Sequence, residues 1–333
     1  MRFVVGVDGG GTKTAAAVVG DDLSVAGSGV AGPSNYRSVG MEASSANIAE
    51  AITNALAAAG VALDALDAIC LCLAGFDTDL DLPVPQRAIA LLGYHGPAIF
   101  ENDVVGAWAA VTGGETGIVT IAGTGATGLG MNTLGEFWRT DGWDYILGDA
   151  GSGYAIGLAG IHAAMEMLDG RRAPTSLARQ MGECYGVEDG DGMRRLADSG
   201  SLGKLRIADF ARHVSEAADA GDPVARAILA HASEDIAESV AAIIRSLGMA
   251  DDAFPVGFVG SVFKSRWVLE PLRARIRSLA ERATLTEPRY PPEVGAARTA
   301  RRRIAERDFG SWTLGQGKRK IRRSLKISEL PQV

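Results

Sequence analysis

Asp8-Gly9-Gly10-Gly11-Thr12-Lys13-Thr14 is the stretch on which the reading of this chain turns. A short apolar run, residues 3–8, leads into it, and a second, residues 15–20, leads out. Successive glycines let backbone N–H groups crowd against phosphate oxygens where a Cβ would block approach. Thr12 and Thr14 add hydroxyl donors and Lys13 a positive charge. Asp8, at the end of a strand, is placed to hold Mg2+ through water. A Gly-x-x-x-x-Gly-Lys-Ser/Thr loop is absent, and a strand rather than a helix follows, so the segment is neither a P-loop nor a dinucleotide fingerprint.

Outward from this turn, residues 24–31 read as a third strand, giving an antiparallel meander. Helical periodicity runs from about 43 to 59, with Ile48, Ile52, Ala55 and Leu56 on one side and Gly60 as the stop. A buried strand (68–73), a helix (85–92), a strand (98–100) and a helix (104–111) complete the order βββαβαβα, which implies a sheet with a parallel portion under helical cover. The plan then restarts. Residues 117–122 form a strand, Gly123-Thr124-Gly125 a turn, and 126–132 and 135–139 further strands. Helices are expected at about 152–168, 174–185, 204–220 and 222–247. A strand (255–259), a helix (262–280), a strand (283–286) and a helix (295–306) close the pattern. Val7-Asp8-Gly9-Gly10-Gly11 aligns with Ile121-Ala122-Gly123-Thr124-Gly125. The repeat predicts an α/β protein of two related domains facing each other across a cleft, with extra helices inserted in the second and ligands between the two.

Four other stretches carry chemistry. Gly123-Thr124-Gly125-Ala126-Thr127, at the equivalent point of the repeat, reaches the same phosphates from the opposite side. Asp103, after the strand ending at Phe100, is the positioned base that phosphoryl transfer to a sugar hydroxyl needs, with Glu101 or Asn102 in support. In residues 142–153, Trp143 offers an apolar face to a sugar ring, and Asp144 and Asp149 offer bidentate acceptors for its hydroxyls. In residues 259–265, a small-residue turn lets a flat adenine lie against the backbone. His95, His162, His213 and His231 have no metal-ligand spacing.

Bulk composition sets the frame. The 333 residues, 47% hydrophobic and 22% charged, can build a full core. No apolar run reaches the roughly 18 residues of a membrane span, and the N-terminus reads as a strand rather than a signal peptide. Cys70 and Cys72 lie on one apolar strand, and with Cys184 they suggest buried thiols in a reducing cytoplasm. Net charge is −7, with 11 Arg/Lys against 3 Asp/Glu in residues 298–333. The acidic body argues against a nucleic-acid enzyme. The basic end, with Lys318-Arg319-Lys320 and Arg322-Arg323, reads as a solvated or disordered tail.

These motifs, in this order, resemble the actin-like ATPase and sugar kinase superfamily, and within it the N-acetylglucosamine kinase branch of the BadF/BadG/BcrA/BcrD ATPase family, over about residues 3–300. The resemblance implies two ribonuclease H-like domains facing a central cleft: an N-terminal domain of residues 1–115, a larger C-terminal domain of 116–307 whose last helix (about 294–307) packs back on the first, and a basic tail, 308–333. It implies an ATP-dependent kinase acting on the 6-hydroxyl of an amino sugar, N-acetylglucosamine first among candidates, with Mg2+ at Asp8 and Asp103 as general base. Gly10, Gly11, Thr12, Lys13, Thr14, Gly123, Thr124 and Gly125 would hold phosphates. Gly260, Ser261, Lys264 and Ser265 would line the adenosine pocket. Asn35, Ala126, Thr127, Trp143 and Asp149 would contact the sugar together with Asp103. A cytoplasmic homodimer with a small-molecule sugar substrate, and neither nucleic acid nor membrane as partner, fits the same family.

One departure stands out: the sugar loop usually reads Gly-Asp-Glu-Gly-Ser, and here Ala150 replaces the Glu. That leaves glucosamine or another hexose open as acceptor. The competing reading, an ATPase that activates a 2-hydroxyacyl-CoA dehydratase, needs an iron–sulfur cluster on cysteine ligands. Two cysteines on one buried strand and a third in a helix count against it.

Overall fold

The computed structural model describes residues 2–314, 316 and 320–322. Strands β1 (Phe3–Gly9), β2 (Thr14–Val19) and β3 (Val25–Ala31) form the expected antiparallel meander. Helices α1 (Tyr36–Val39) and α2 (Met41–Ala59) follow, then β4 (Leu66–Leu73), α3 (Pro83–Leu92), β5 (Ala98–Asn102) and α4 (Asp103–Thr112). The sheet order is β3-β2-β1-β4-β5, with β1, β4 and β5 parallel. Every residue of β2 is buried, the pattern of a strand covered on both faces. The small residues of β3 have their own reason: a Cβ at Gly27 or Gly29 would collide with the backbone of α2.

The second sheet starts again with β6 (Gly117–Ala122), β7 (Ala126–Met131) and β8 (Phe137–Asp141). Helices α5 (Gly153–Leu168), α6 (Leu177–Tyr185), α7 (Gly190–Asp198), α8 (Lys204–Asp219) and α9 (Pro223–Leu247) then intervene. The chain continues through β9 (Pro255–Val259), α10 (Arg266–Leu279), β10 (Thr284–Thr286), α11 (Pro292–Glu306) and β11 (Ile321–Arg322). Strand order is β10-β9-β6-β7-β8-β11. Apart from the added β11, it repeats the order of the first sheet, so the echo between the two glycine turns reflects a repeated sheet.

Helices α4 and α11 lie between the two sheets. One apolar cluster joins Val4 and Cys72 of the first sheet to Trp108 of α4, Ala297 of α11, and Val119, Leu129 and Phe137 of the second. The approach is close: a Cβ at Gly295 would collide with the carbonyl of Gly106, and one at Gly6 with the backbone of α11. The inserted helices build a separate cluster around Phe210, Val214, Leu229 and Ile236. Among the described residues no helix is long and apolar enough to cross a membrane.

Three expectations need correction. The single helix over 262–280 is broken: residues Ser261–Lys264 form a 3-10 turn, Ser265 is extended, and α10 starts only at Arg266. The break lies at Ser265, whose ψ of 117° takes the backbone out of the helical region before α10 begins. Helix α7 was not expected from its polar, glycine-rich sequence; Asp189 caps it by accepting from the Gly192 N–H at 2.7 Å. The basic end is not simply a solvated tail either. Trp312 is fully buried against Phe137 of β8, with the Arg303 guanidinium over its ring at 4.2 Å. Lys318, Arg319 and Arg323 lie outside the described residues.

Glu101 fastens this segment. Its carboxylate accepts from the N–H groups of Trp312 (2.7 Å) and Thr313 (3.0 Å), and pairs with Arg303 at 3.3 Å; both charged side chains are wholly buried. Burial nonetheless pushes the Glu101 carboxyl up, with Arg303 and the N–H donors opposing. Removing one member of such a pair strands the other charge. Arg303→Met should therefore cost about 3 to 5 kcal/mol of unfolding free energy in a urea titration, and Arg303→Met combined with Glu101→Met should cost less than the single change. A loss below about 1 kcal/mol, the size of an exposed pair, would contradict this.

Candidate active site

The parallel register lines up the carboxyl ends of three strands: Asp8 pairs with Cys72 and Cys72 with Glu101, and one step further Gly9, Leu73 and Asn102 are in line. Functional groups gather at such strand ends. Asn102 caps α4 by accepting from the Val104 N–H at 3.1 Å. Its Nδ2 donates to the Phe76 carbonyl and to Asp77, both at 3.3 Å. The cap is thus supplied by Asn102, and Asp103, the first helical residue, faces a cavity of about 510 Å3 between the two sheets.

Both glycine turns form walls of that cavity. Gly10 N–H donates to the Lys13 carbonyl, and the Gly10 carbonyl accepts from the N–H groups of Ser34 (3.0 Å) and Asn35 (3.1 Å). The first turn therefore carries Asn35 to the same wall. The second turn is held by α5: Gly153 N–H donates to the Gly123 carbonyl (2.7 Å) and Tyr154 N–H to the Thr124 carbonyl (3.2 Å). A Cβ at Gly11 or Gly123 would meet no neighbouring atom within 4 Å, so both turns face open space.

Gly123 and Thr124 also line a second cavity, of about 710 Å3, with Ser261, Lys264 and Ser265 on one side and Tyr185 and Arg206 on the other. Gly260 brings residues 261–265 against the second turn, where any Cβ would collide with the Ala122 carbonyl. Ser265 Oγ is buried without a hydrogen-bond partner among the described residues.

Two carboxyl groups close enough to influence each other are raised by burial: Asp103, on the wall of the central cavity, and Asp8, which lies behind the walls of both cavities. Burial pushes the Asp8 carboxyl up to about 7, reinforced by the carboxylates of Asp103 and Glu293 and opposed by Lys13. Burial pushes Asp103 up to about 6, with Arg139 opposing and Asp77 adding to the rise. Among the described residues no group of three or more His, Cys, Asp or Glu is arranged to enclose a metal. The donor set that fits Mg2+ here is the single Asp8 carboxylate, whose buried charge a cation would relieve.

Gly10, Gly11, Thr12, Asn35, Asp103, Gly125, Ala126, Thr127 and Asp149 all reach the central cavity. Others are placed differently. Thr14 is buried and donates its hydroxyl to the Gly32 carbonyl at 2.7 Å, so it ties the hairpin to the following loop. Lys13 is exposed and lies off the walls of both cavities. Glu101 faces away from Asp103, toward the C-terminal segment, and does not support it. Trp143 is 41% exposed and off the cavity wall, where Tyr145 stands instead. Asp149 is already engaged: it accepts from the Ala126 N–H at 3.2 Å and pairs with Lys204 at 3.2 Å, while Lys204 also holds Asp144. Cys70 and Cys72 sit side by side on β4, sulfurs 3.9 Å apart and both buried. Residues Arg37, Asp77, Arg139 and Lys204 line the cavity without having been anticipated. Lys204 is 60 residues from Asp144, and no periodicity links them.

Two repeated sheets packed on the helices α4 and α11, with a cavity between the sheets, define an actin-like ATPase fold. The chain belongs to the BadF/BadG/BcrA/BcrD ATPase family, whose model matches residues 5–300. It is 32% identical over 265 residues to an N-acetylmuramic acid/N-acetylglucosamine kinase of Clostridium acetobutylicum, covering 80% of this chain and 87% of that one. It is 29% identical over 308 residues to an N-acetyl-D-glucosamine kinase of Dictyostelium discoideum, covering 89% and 97%. A crystal structure from Chromobacterium violaceum, provisionally assigned as an N-acetylglucosamine kinase, superposes with a TM-score of 0.73 at 26% identity, covering 89% of this chain and 98% of that one.

The raised carboxyls carry a stability cost. In the unfolded chain they titrate near 3.8, whereas in the folded protein Asp103 titrates at about 6 and Asp8 at about 7. Folding thus favours their protonated forms, so the cost is absent below pH 3.8 and is complete once the pH has risen past 6 to 7. In EDTA at pH 8, Asp103→Asn should melt higher than the wild type by roughly 2 °C or more, and the gap should close on acidification. A variant that melts below the wild type at pH 8 would contradict the burial argument.

Proposed function

We propose that the protein is an ATP-dependent kinase that phosphorylates the 6-hydroxyl of an amino sugar, with N-acetylglucosamine as the favoured acceptor. One observation carries this reading: Asp103 and the two glycine turns share a cavity, and Gly123 and Thr124 of its wall also line a second cavity of about 710 Å3. The names of the Clostridium acetobutylicum and Dictyostelium discoideum relatives support the choice of acceptor.

In this reading ATP lies with its adenosine between Ser261–Ser265 and Tyr185, and its phosphates between Gly10–Thr12 and Gly123–Gly125. The sugar lies against Asn35, Thr127 and Asp149. Asp103 takes the proton of the 6-hydroxyl as that oxygen bonds to the γ-phosphorus; the bond from the γ-phosphorus to the bridging oxygen breaks, and ADP leaves. A base with a pKa of about 6 is ionised at neutral pH and still basic enough to accept a proton. Asp8 would hold Mg2+ through water, and the ion supplies charge neutralisation at the phosphate oxygens. Thr12, Thr124 and the turn N–H groups stabilise the charge that develops on the transferred group. The halves 1–115 and 116–307 close around the substrates and exclude water.

ADP release measured over a panel of N-acetylated, free-amine and plain hexoses tests the reading. Wild type should turn over with N-acetylglucosamine, and Asp103→Asn should lose roughly 100- to 10,000-fold. Below about pH 6 the wild-type kcat/KM should fall tenfold per pH unit, and above it should level off, because the base must be deprotonated. Equal, sugar-independent turnover by both proteins would sink the proposal.

A further inference from the structure

Across the floor of the central cavity one ion pair joins the two halves of the molecule. Asp77 follows β4 of the first sheet, and Arg139 stands on β8 of the second. Arg139 Nη1 donates to Asp77 Oδ1 at 2.7 Å, with side chains 5% and 16% exposed. Arg37 also approaches Asp77, but only to 4.0 Å and from a half-exposed position.

Each partner is tied to one wall of the acceptor space. Arg139 Nε donates to Thr127 Oγ1 at 3.1 Å, and Thr127 Oγ1 in turn donates to the Thr140 carbonyl at 3.2 Å. The hydroxyl of Thr127 therefore has a fixed direction. On the other side Asp77 Oδ1 also accepts from Asn102 Nδ2 at 3.3 Å, and Asn102 caps the helix that Asp103 begins. The chain of contacts thus runs from Thr127 through Arg139, Asp77 and Asn102 to the first turn of α4. The acceptor loop is moulded to the guanidinium as well. A Cβ on Gly142, whose φ is +67°, would come within 2.6 Å of Arg139 Nη2. The guanidinium serves Thr127 through Nε and Asp77 through Nη1, two donors held apart in one plane, a spacing that the single nitrogen of a lysine does not reproduce.

We propose that the Asp77–Arg139 pair is a positioning device for phosphoryl transfer, setting the distance between Thr127 on one wall and Asp103 on the other so that the acceptor hydroxyl meets its base. The proposal rests on the kinase reading above. Neither residue touches the reacting atoms; they act through Thr127, Asn102 and the helix start, and their charges act in opposite senses on the Asp103 carboxyl, Arg139 lowering its pKa and Asp77 raising it.

The test compares Arg139→Gln, Arg139→Lys, Asp77→Asn and the double change Arg139→Gln/Asp77→Asn, each checked for folding by its melting curve. Sugar phosphate formed and ADP released are measured separately, with N-acetylglucosamine as acceptor. Each of the two neutralising single changes should lower kcat/KM for the sugar roughly 10- to 100-fold, the worth of one charged hydrogen bond, and leave the KM for ATP within about twofold. The double change should be no worse than the poorer single, because both break one unit. ADP released per sugar phosphate should rise in all of them, since a misplaced acceptor leaves the phosphate open to water. Arg139→Lys should recover part of kcat while the sugar KM stays high.

Multiplying losses, a KM for ATP that rises in step with that of the sugar, or a lower melting point with unchanged kinetics would each overturn the proposal. Should Arg139→Gln fail to fold, the isosteric Asp77→Asn and the charge-retaining Arg139→Lys decide the matter. A wild type without sugar-dependent ADP release would overturn the kinase reading and this one with it. An active wild type with indistinguishable variants would overturn this one alone.

Discussion

The distance at which α4 and α11 can lie together governs the rest of the molecule. Gly106 and Gly295 let the two helices meet backbone to backbone, and Gly6 lets α11 settle directly on β1. With side chains at those points the helical layer would thicken, and interiors packed to native density do not absorb such a change without moving their neighbours. The consequence reaches the carboxyl groups near the cavity. Helix α4 begins at Asp103, and Glu293, in the first turn of α11, bears electrostatically on Asp8. The contact that joins the two sheets therefore also sets where the two carboxyl groups of the cleft stand.

Those carboxyls show how unequally the protein treats neighbouring charges. Glu101 and Asp103 are two residues apart. Glu101 is fully buried and receives an arginine, two hydroxyls and two N–H groups. Asp103 opens onto the cavity and is offset by Arg139 while Asp77 works against it. The first arrangement holds a segment in place; the second keeps a carboxyl basic and available. Carboxyl groups raised by burial in a cleft mark sites where stability yields to chemistry.

Much of this was legible in the sequence because it is local. The glycine turn and the strands around it, the echo at Gly123–Gly125, the strand ending before Asp103 and the amphipathic α2 all follow from neighbours in the chain. What was not legible depends on partners far apart. Nothing near Glu101 announces Arg303 or Trp312, and Lys204 meets Asp144 and Asp149 only because the three helices α5 to α7 return the chain to the cleft where α8 begins. Thr14 illustrates the reverse error. Its place in the motif suggested a phosphate donor, yet the chain turns back at Gly32 and takes the hydroxyl. Residue type and spacing point to a site, but which donors stay open is decided by tertiary contacts.

The most direct test is the identity of the product formed from Mg-ATP and N-acetylglucosamine, read by a proton–phosphorus correlation spectrum. The account predicts a single phosphomonoester on the oxygen at carbon 6, formed in equal amount to ADP. Inorganic phosphate as the only phosphorus product besides ADP, with the sugar unchanged, would contradict it.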